Sequence, residues 1–201
     1  MAVKRDFLSY LGPDRIYPIT DRLASGLSHA QQVAEFGRRG FRLVQLRDKH
    51  LSAREFFREA EEARTVARAY GMRLIINDRV DVALAVRADG VHLGQDDLSP
   101  EAARHLLGDE AIIGFSTHHL AQAQSALELP INYLALGPIF GTISKENPDP
   151  VVGLQQLGAI KSGVPGIPVV AIGGINRANR ASVLAAGADA VAVISDLWPA
   201  R

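Results

Sequence analysis

Three polar side chains alternate at the point where one apolar run of the sequence ends. The run LVQLRDK, residues 43–49, places Gln45, Arg47 and Lys49 on the same side of an extended chain. An arginine fork and a lysine charge two residues apart suit a polyanion such as a diphosphate. The alternative is a solvated loop with a surface salt bridge through Asp48. Because the glutamine shares that side directly after a buried run, we favour an anion clamp.

Carboxylates follow the next two apolar runs. Asn77 and Asp78 end the run LIINDR, and Asp97 ends the run VHLGQDD. Mg²⁺ typically takes one or two protein carboxylates and completes its octahedron with water and phosphate oxygens. Either aspartate alone is equally typical of a helix cap. The pair on adjacent strand ends therefore predicts a Mg²⁺ site held by Asp78 and Asp97.

A serine in the segment GFSTH is the candidate nucleophile or hydrogen-bond donor of the chain. Ser116 lies two residues before His118, which suggests a hydrolase, but the G-x-S-x-G elbow is missing and no acid is evidently placed to orient a histidine. We therefore predict that Ser116 donates a hydrogen bond to phosphate. His92 lies in mid-strand and is interpreted as a core histidine with satisfied hydrogen bonds. His118 and His119 are interpreted as helix-start residues.

Hydroxyl groups and glycines mark a second anion pocket. Thr142, Ser144 and Lys145 give the loop 141–153 a hydroxyl-rich, cationic beginning, although an ordinary flexible loop is the alternative. Gly173-Gly174 precedes a predicted helix at Arg177, where backbone N–H groups bind anions. Together with Ile194-Ser195, these glycines lie at the ends of the seventh and eighth runs, where parallel barrels commonly hold a phosphate.

These residues are positioned by eight apolar runs that alternate with amphipathic helical segments. The runs are residues 16–21, 43–49, 74–79, 91–97, 112–118, 134–145, 169–175 and 191–195, and the helical segments are 28–39, 52–70, 99–107, 119–128, 154–161 and 177–186. Continuous apolar runs predict strands buried on both faces, and crossover helices enforce parallel pairing.

The eightfold pattern predicts a single α/β domain over residues 1–201, a (β/α)8 TIM barrel. An open doubly wound sheet is the competing fold, but eight similarly buried runs with functional endings favour closure. Only residues 196–201 follow the last run, too few for a closing helix. We therefore expect either a barrel without its C-terminal helix or a natural chain that is longer.

Composition narrows the classes of protein. The chain has 201 residues, 47% hydrophobic and 22% charged, which suffices for one well-buried domain. It has no cysteine, hence no disulfide or thiolate metal site, and no apolar run near the ~20 residues of a membrane span. Net charge is zero, which argues against nucleic-acid binding by bulk electrostatics. We expect a cytoplasmic protein with no membrane or nucleic-acid partner, and a homodimer is left open.

Six ordered segments resemble one known family. QLRDK, INDRVDVALAVRADGVHLGQDD, GFSTH, LALGPIFGTISK, VAIGGI and VAVIS are similar to the motifs of thiamine phosphate synthase, from about Tyr17 to Ser195. The resemblance implies that the chain joins a hydroxymethylpyrimidine diphosphate to a thiazole phosphate, giving thiamine phosphate and pyrophosphate. Its two phosphorylated substrates and Mg²⁺ cofactor agree with the two predicted anion pockets.

The resemblance also implies roles for individual residues. The pyrimidine diphosphate would be held by Gln45, Leu46, Arg47, Asp48, Lys49, Asn77, Ser116 and Lys145, with Arg47, Lys49, Ser116 and Lys145 catalytic. The metal would be held by Asp78 and Asp97, and the thiazole phosphate by Thr142, Ile143, Ser144, Gly174, Ile194 and Ser195. We expect Lys145→Ala to lower kcat by ~10²–10³.

The sequence also departs from the family pattern. Gly141 and Ser144 replace the usual proline and threonine, and Asp196 would repel a phosphate if its carboxylate pointed inward. Two alternatives stay open: a thiazole tautomerase-like enzyme and a non-catalytic barrel that binds a phosphate ligand. Pro138, where the tautomerase is expected to have a histidine, favours the synthase.

Overall fold

The computed structural model describes residues 7–141 and 149–198. Its strands are β1 (Ile16–Pro18), β2 (Leu43–Leu46), β3 (Arg73–Asn77), β4 (Gly90–Leu93), β5 (Ile112–Thr117), β6 (Tyr133–Leu136), β7 (Val169–Ala171) and β8 (Ala190–Val193). Its α-helices are α1 (Arg22–Ser25), α2 (His29–Arg38), α3 (Ala53–Ala69), α4 (Val80–Ala85), α5 (Pro100–Leu107), α6 (Leu120–Ser125), α7 (Gly153–Gly163) and α8 (Arg180–Ala185).

The strands form one parallel sheet that curls into a nearly closed barrel. Their order is β1-β8-β7-β6-β5-β4-β3-β2. The remaining seam is bridged where Ile19 pairs with Gln45 and the Thr20 N–H donates to the Gln45 carbonyl at 2.9 Å. The predicted barrel is confirmed over the open sheet. Because all strands are parallel, their carboxyl ends meet at one rim.

Strand burial explains why the sequence shows continuous apolar runs. Inside the barrel, side chains such as Ile75, Tyr133 and Val170 pack on one another. On the other face, side chains such as Leu74 and Leu134 pack beneath the helices. Both faces of each strand are therefore removed from water, as parallel α/β sheets require.

A 3-10 turn at Phe7–Tyr10 fills the barrel at the amino ends of the strands. The Phe7 ring stacks on Tyr133 with centroids 4.1 Å apart and meets the edge of Tyr17 at 5.7 Å. The guanidinium of Arg73, the first residue of β3, lies 5.4 Å from the centre of the Tyr10 ring. This floor leaves the carboxyl ends of the strands for the ligand cavity.

Capping chemistry sets the starts of the longer helices. Ser28 with Gln31, and Ser52 with Glu55, form reciprocal capping boxes before α2 and α3. Ser99 caps α5, with proline at its first turn. The predicted starts of these three helices are confirmed.

The last helix differs from the prediction. It begins at Arg180, not at Arg177, because the side chains of Asn176 and Asn179 cap backbone N–H groups within the preceding turn. The double glycine therefore lies several residues before a helix. After β8 a 3-10 turn spans Ser195–Leu197. Within residues 7–141 and 149–198, no helix has the length and apolar character needed to cross a bilayer.

Candidate active site

A cavity of about 760 Å³ opens at the carboxyl ends of the strands. Of the predicted site residues it is lined by Gln45, Arg47, Lys49, Asn77, Asp78, Asp97, Ser116, Gly174, Ile194 and Ser195. Two predicted residues lie elsewhere: Leu46 is buried under the helices, and Asp48 is turned away from the cavity. Thr142, Ile143, Ser144 and Lys145 lie outside the described residues. Groups far apart in the chain thus meet at one mouth.

The predicted cationic clamp lies at the end of β2. The Lys49 ammonium pairs with the Asp78 carboxylate. Arg47 is half-buried, and within the described parts of the chain its guanidinium makes no ion pair. Its backbone N–H donates to the Thr20 hydroxyl at 3.2 Å, which fixes the start of the loop. A positioned, unneutralised guanidinium is suited to an anionic ligand.

Asp48 anchors this loop instead of facing the cavity. One carboxylate oxygen accepts from Arg22 Nε at 2.8 Å and lies 3.2 Å from His29 Nε2. The other accepts the N–H groups of His50 at 2.8 Å and Leu51 at 3.1 Å. Burial opposes the charge, but these hydrogen bonds outweigh it and lower the pKa of Asp48 to about 2. By fixing the backbone of this loop, the Asp48 carboxylate stabilises the positions of Arg47 and Lys49.

The two predicted metal ligands face each other across the ends of β3 and β4. Asp78 has φ +63°, a left-handed conformation that aspartate tolerates, and its N–H donates to the His92 carbonyl at 2.7 Å. Asp97 accepts the Gly94 N–H at 2.6 Å. Burial, together with the neighbouring charge of Asp78, raises the pKa of Asp97.

Two carboxylates in such proximity repel unless a proton or a cation lies between them. The described residues contain no group of three acidic, histidine or cysteine ligands, so protein donors would supply only part of a coordination shell. Mg²⁺ accepts such a site, because water and phosphate oxygens fill its other positions. The oxygen-only pair formed by Asp78 and Asp97 therefore fits Mg²⁺.

The Ser116 hydroxyl group forms a hydrogen bond with the buried His92. Ser116 Oγ lies 2.9 Å from His92 Nε2, and His92 Nδ1 lies 3.0 Å from the Tyr133 hydroxyl. Burial lowers the pKa of His92 to about 4, so the ring is neutral. No carboxylate among the described residues hydrogen-bonds to His92, which leaves the arrangement without the acid of a hydrolase triad.

The second predicted anion pocket is built on backbone that only glycine adopts easily. Gly173 and Gly174 have φ values of +96° and +64°. A Cβ on Gly173 would lie 2.5 Å from Pro138 Cβ, and one on Gly174 would lie 2.5 Å from the Gly141 carbonyl oxygen. The double glycine therefore brings bare backbone to the cavity wall, opposite the clamp formed by Arg47 and Lys49.

Asp196 does not point into this pocket. Its carboxylate accepts the Arg177 N–H at 2.9 Å and lies 3.6 Å from Arg177 Nε. It is absent from the cavity lining, whereas the preceding Ser195 is part of it. The expected repulsion of a phosphate by an inward carboxylate is thereby avoided.

Several lining residues escaped sequence reasoning, chiefly Tyr17, Tyr133, His92 as a cavity residue, Gln95 and His118. Gln95 Nε2 donates to the Ser116 carbonyl at 2.5 Å, and His118 Nδ1 lies 2.6 Å from the Gly137 carbonyl oxygen. Tyr17 and Tyr133 occur in apolar runs, where a tyrosine is typical of the hydrophobic core. Counting alternate positions back from Ser116 could have identified the inward face of β5, but not the partners on other strands.

Comparisons with known proteins agree with this geometry. The family model described as thiamine monophosphate synthase matches residues 16–197. A thiamine-phosphate synthase of Chloroflexus aurantiacus is 48% identical over 182 residues, covering 90% of this chain and 83% of that protein. One of Koribacter versatilis is 47% identical over 190 residues, covering 91% and 88%. A solved structure, thiamine phosphate pyrophosphorylase from Pyrococcus furiosus, superposes with a TM-score of 0.79 at 39% identity, covering 90% and 86%.

Proposed function

The chain belongs to the thiamine monophosphate synthase family, and we propose that its cavity joins a pyrimidinylmethyl diphosphate to a thiazole phosphate. It is a transferase of the pyrimidinylmethyl group. The observation that carries the proposal is the convergence of a cationic clamp, an acidic pair and a glycine-lined wall around one cavity of about 760 Å³. Two phosphorylated substrates have separate anion sites there.

The reaction exchanges one bond for another. The C–O bond between the pyrimidinylmethyl carbon and the diphosphate breaks, and its electron pair leaves with pyrophosphate. The lone pair of the thiazole nitrogen forms the new C–N bond to the same carbon. Negative charge therefore accumulates on the leaving group, where fixed positive charge and hydrogen-bond donors lower the barrier.

The residues of the clamp are suited to that leaving group. Arg47 offers a fork of N–H donors without a carboxylate partner among the described residues, and Lys49 exchanges its contact with Asp78 for one with phosphate. Asn77, at the end of the neighbouring strand β3, and Ser116, on β5, line the same cavity. Lys145, which we assign to the same diphosphate, lies outside the described residues, and its role stays a prediction.

Asp78 and Asp97 would hold Mg²⁺. When bound, the ion neutralises charge on the diphosphate and fixes its orientation. Within this chain, Gly94 fixes the Asp97 carboxylate by its N–H group, and the left-handed backbone of Asp78 turns the second carboxylate toward it. The support for this assignment is the oxygen-only donor pair and the raised pKa of Asp97.

Part of the remaining cavity wall is apolar and suits two flat rings. Tyr17, Ile19, Val170 and Ile172 line it between the two anion sites. An apolar wall excludes water, which would otherwise compete with the thiazole nitrogen for the reactive carbon. The thiazole phosphate is assigned to Gly174, Ile194 and Ser195, with Thr142, Ile143 and Ser144 outside the described residues. Cytoplasmic location and a homodimer stay predictions.

The test is a coupled assay of the purified protein with both substrates and Mg²⁺. Thiamine phosphate, measured after oxidation to its fluorescent thiochrome, and pyrophosphate should appear in equal amounts. Arg47→Ala should lower kcat by ~10²–10³, since it removes a donor aimed at developing charge. Arg42→Ala is the matched control, because Arg42 is exposed outside the cavity.

Two outcomes would overturn the proposal. Pyrophosphate release without thiamine phosphate would make the protein a hydrolase of the pyrimidine substrate. Binding of the thiazole phosphate without product from the pair would support the tautomerase-like or non-catalytic alternatives.

A further inference from the structure

A chain of hydrogen-bonded side chains crosses the inside of the barrel beside the cavity. It joins, in order, Gln45, Tyr17, Tyr133, His92 and Ser116. The successive distances are 3.3, 3.2, 3.0 and 2.9 Å. The first four residues are at most 8% exposed, whereas Ser116 is half-buried at the cavity wall. All five side chains border the cavity, and Ser116 is the one most exposed to it.

The donor at the Gln45 end sets the direction of the hydrogen bonds. The Gln45 amide nitrogen only donates, so the Tyr17 hydroxyl accepts from it and has its own proton left for Tyr133. In the reverse order Tyr133 would donate to Tyr17. The Tyr17 proton, on a residue only 1% exposed, would then have no acceptor among the described residues. A buried donor without a partner is costly, which favours the forward order.

The forward order assigns the histidine tautomer. The Tyr133 proton, no longer needed by Tyr17, is donated to His92 Nδ1. A neutral imidazole carries one ring proton, so that proton lies on Nε2 and is donated to Ser116 Oγ. Because Nδ1 accepts the Tyr133 proton, it carries none of its own, and the ring is neutral.

Because Ser116 Oγ accepts a hydrogen bond from His92, the Ser116 hydroxyl proton is available for a ligand in the cavity. We infer that His92, oriented by Tyr133, is a positioning residue that makes the Ser116 hydroxyl a dedicated donor to the leaving diphosphate. This inference rests on the proposed function, since it assigns the role of one residue of that site. No proton is transferred along the chain; each donor polarises the next, and Ser116 meets growing negative charge with a donor already oriented.

A glycine in the middle of β5 supports the arrangement independently. A Cβ on Gly114 would lie 2.3 Å from the Tyr133 hydroxyl oxygen and 2.5 Å from His92 Nδ1. Glycine weakens a strand and is found there where another group approaches closely. The strand therefore lacks a side chain at the one point where it would separate Tyr133 from His92.

The first experiment determines the tautomer in the wild-type protein. Protein labelled with ¹⁵N-histidine is examined by NMR near pH 7, and the His92 signals are identified by their loss in His92→Gln. We expect a protonated Nε2 and an unprotonated Nδ1. A ring protonated on Nδ1, alone or as the imidazolium, would overturn the inference. This measurement needs no turnover and no destabilised variant.

The second experiment separates positioning from packing. His92→Leu should lower kcat by roughly 10- to 100-fold with little change in KM, as losses of outer hydrogen-bond partners commonly do. His92→Gln, whose amide nitrogen lies near the position of Nε2, should restore most of that loss. In a Ser116→Ala background, His92→Leu should cost only about 2-fold more, since both changes remove the same interaction. The exposed His105→Gln is the matched control.

Distinct outcomes contradict the inference and the proposed function. If wild-type protein forms thiamine phosphate but His92→Gln is as impaired as His92→Leu, or the two losses add fully, the positioning role is wrong and the synthase activity stands. If wild-type protein forms no product, the proposed function is wrong whatever the tautomer.

Discussion

At the scale of single residues, the acidic pair makes the sharpest prediction. Asp97→Asn removes one of the two carboxylates that face each other at the cavity, while the amide oxygen still accepts the Gly94 N–H. We expect the Mg²⁺ concentration for half-maximal activity to rise about 10-fold or more. A titration of activity with Mg²⁺ measures it, with the exposed Asp109→Asn as control. An unchanged titration curve would remove Asp97 from the metal site.

Asp48 makes a prediction about stability and pH. Its pKa lies near 2 in the folded protein, below the usual value of 3.8, so its contribution is present above about pH 4 and is lost as the pH falls through about 2. Its side chain is only 4% exposed, and the shift corresponds to about 2 kcal/mol. Asp48→Asn should lower the free energy of unfolding at pH 7 by about that amount.

The pH profile separates this effect from a general loss of packing. In urea unfolding at several pH values, the difference between wild type and Asp48→Asn should shrink between about pH 4 and pH 2. The exposed Asp14→Asn should match wild type throughout. A difference that stays constant with pH would show that the carboxylate charge of Asp48 contributes nothing.

Residue types and their alternation at strand ends predicted which side chains face the cavity, but not which side chain anchors the loop. Gln45, Arg47 and Lys49 were predictable because alternation along a short extended segment fixes one side. Asp48 points to the other side, and its partners Arg22 and His29 come from a different part of the chain, so no local pattern reveals its anchoring role.

At the scale of elements, the absence of a side chain at Gly114 of β5 leads to a testable prediction. Gly114→Ala places a methyl group against Tyr133 and His92, in a strand that is buried on both sides. We expect a loss of 1–3 kcal/mol of stability from overpacking, about 10-fold lower kcat, and a changed His92 tautomer signal. Gly12→Ala is the matched control, since its Cβ would meet no atom within 4 Å. Wild-type kcat in Gly114→Ala would show that β5 tolerates a side chain there.

The starts of α2, α3 and α5, which carry serine caps, were predictable, whereas those of α4 and α8 were not. Ser52 and Glu55 predict the start of α3 from the sequence, because the side chain of each accepts the backbone N–H of the other. Helix α4 was missed, since Arg79 at its start makes no side-chain cap and nothing local separates it from β3. The start of α8 was displaced because the turn at Asn176 and Asn179 uses the same residue types as a helix cap.

At the scale of the whole molecule, the count of eight buried runs predicted the barrel, but not how its ends are closed. Closure at the seam depends on the pairing of Ile19 with Gln45, and the floor depends on Phe7 meeting Tyr133 across the barrel. Both contacts join residues far apart in the chain. Sequence periodicity reports the burial of an element, and says nothing about which distant partner covers it.

The floor provides a prediction for the barrel as one body. Phe7→Ala removes a ring that is 1% exposed and that supports Tyr17 and Tyr133 from below. We expect a loss of about 3–5 kcal/mol in the free energy of unfolding, because the rigid strands around the vacated space limit its collapse. Urea unfolding measures it, with the half-buried Phe57→Ala of α3 as the matched control and a smaller expected loss.

The same variant connects the floor to the chemistry at the opposite end. Tyr17 and Tyr133 begin the hydrogen-bond order that reaches Ser116, so a loosened floor should lower kcat in Phe7→Ala while the affinity for inorganic pyrophosphate, held at the rim by Arg47 and Lys49, stays close to wild type. Equal stability losses in Phe7→Ala and Phe57→Ala would show that the floor has no special weight. A weakened pyrophosphate affinity would show that the rim itself depends on the floor, and the two ends of the barrel would then act as one unit.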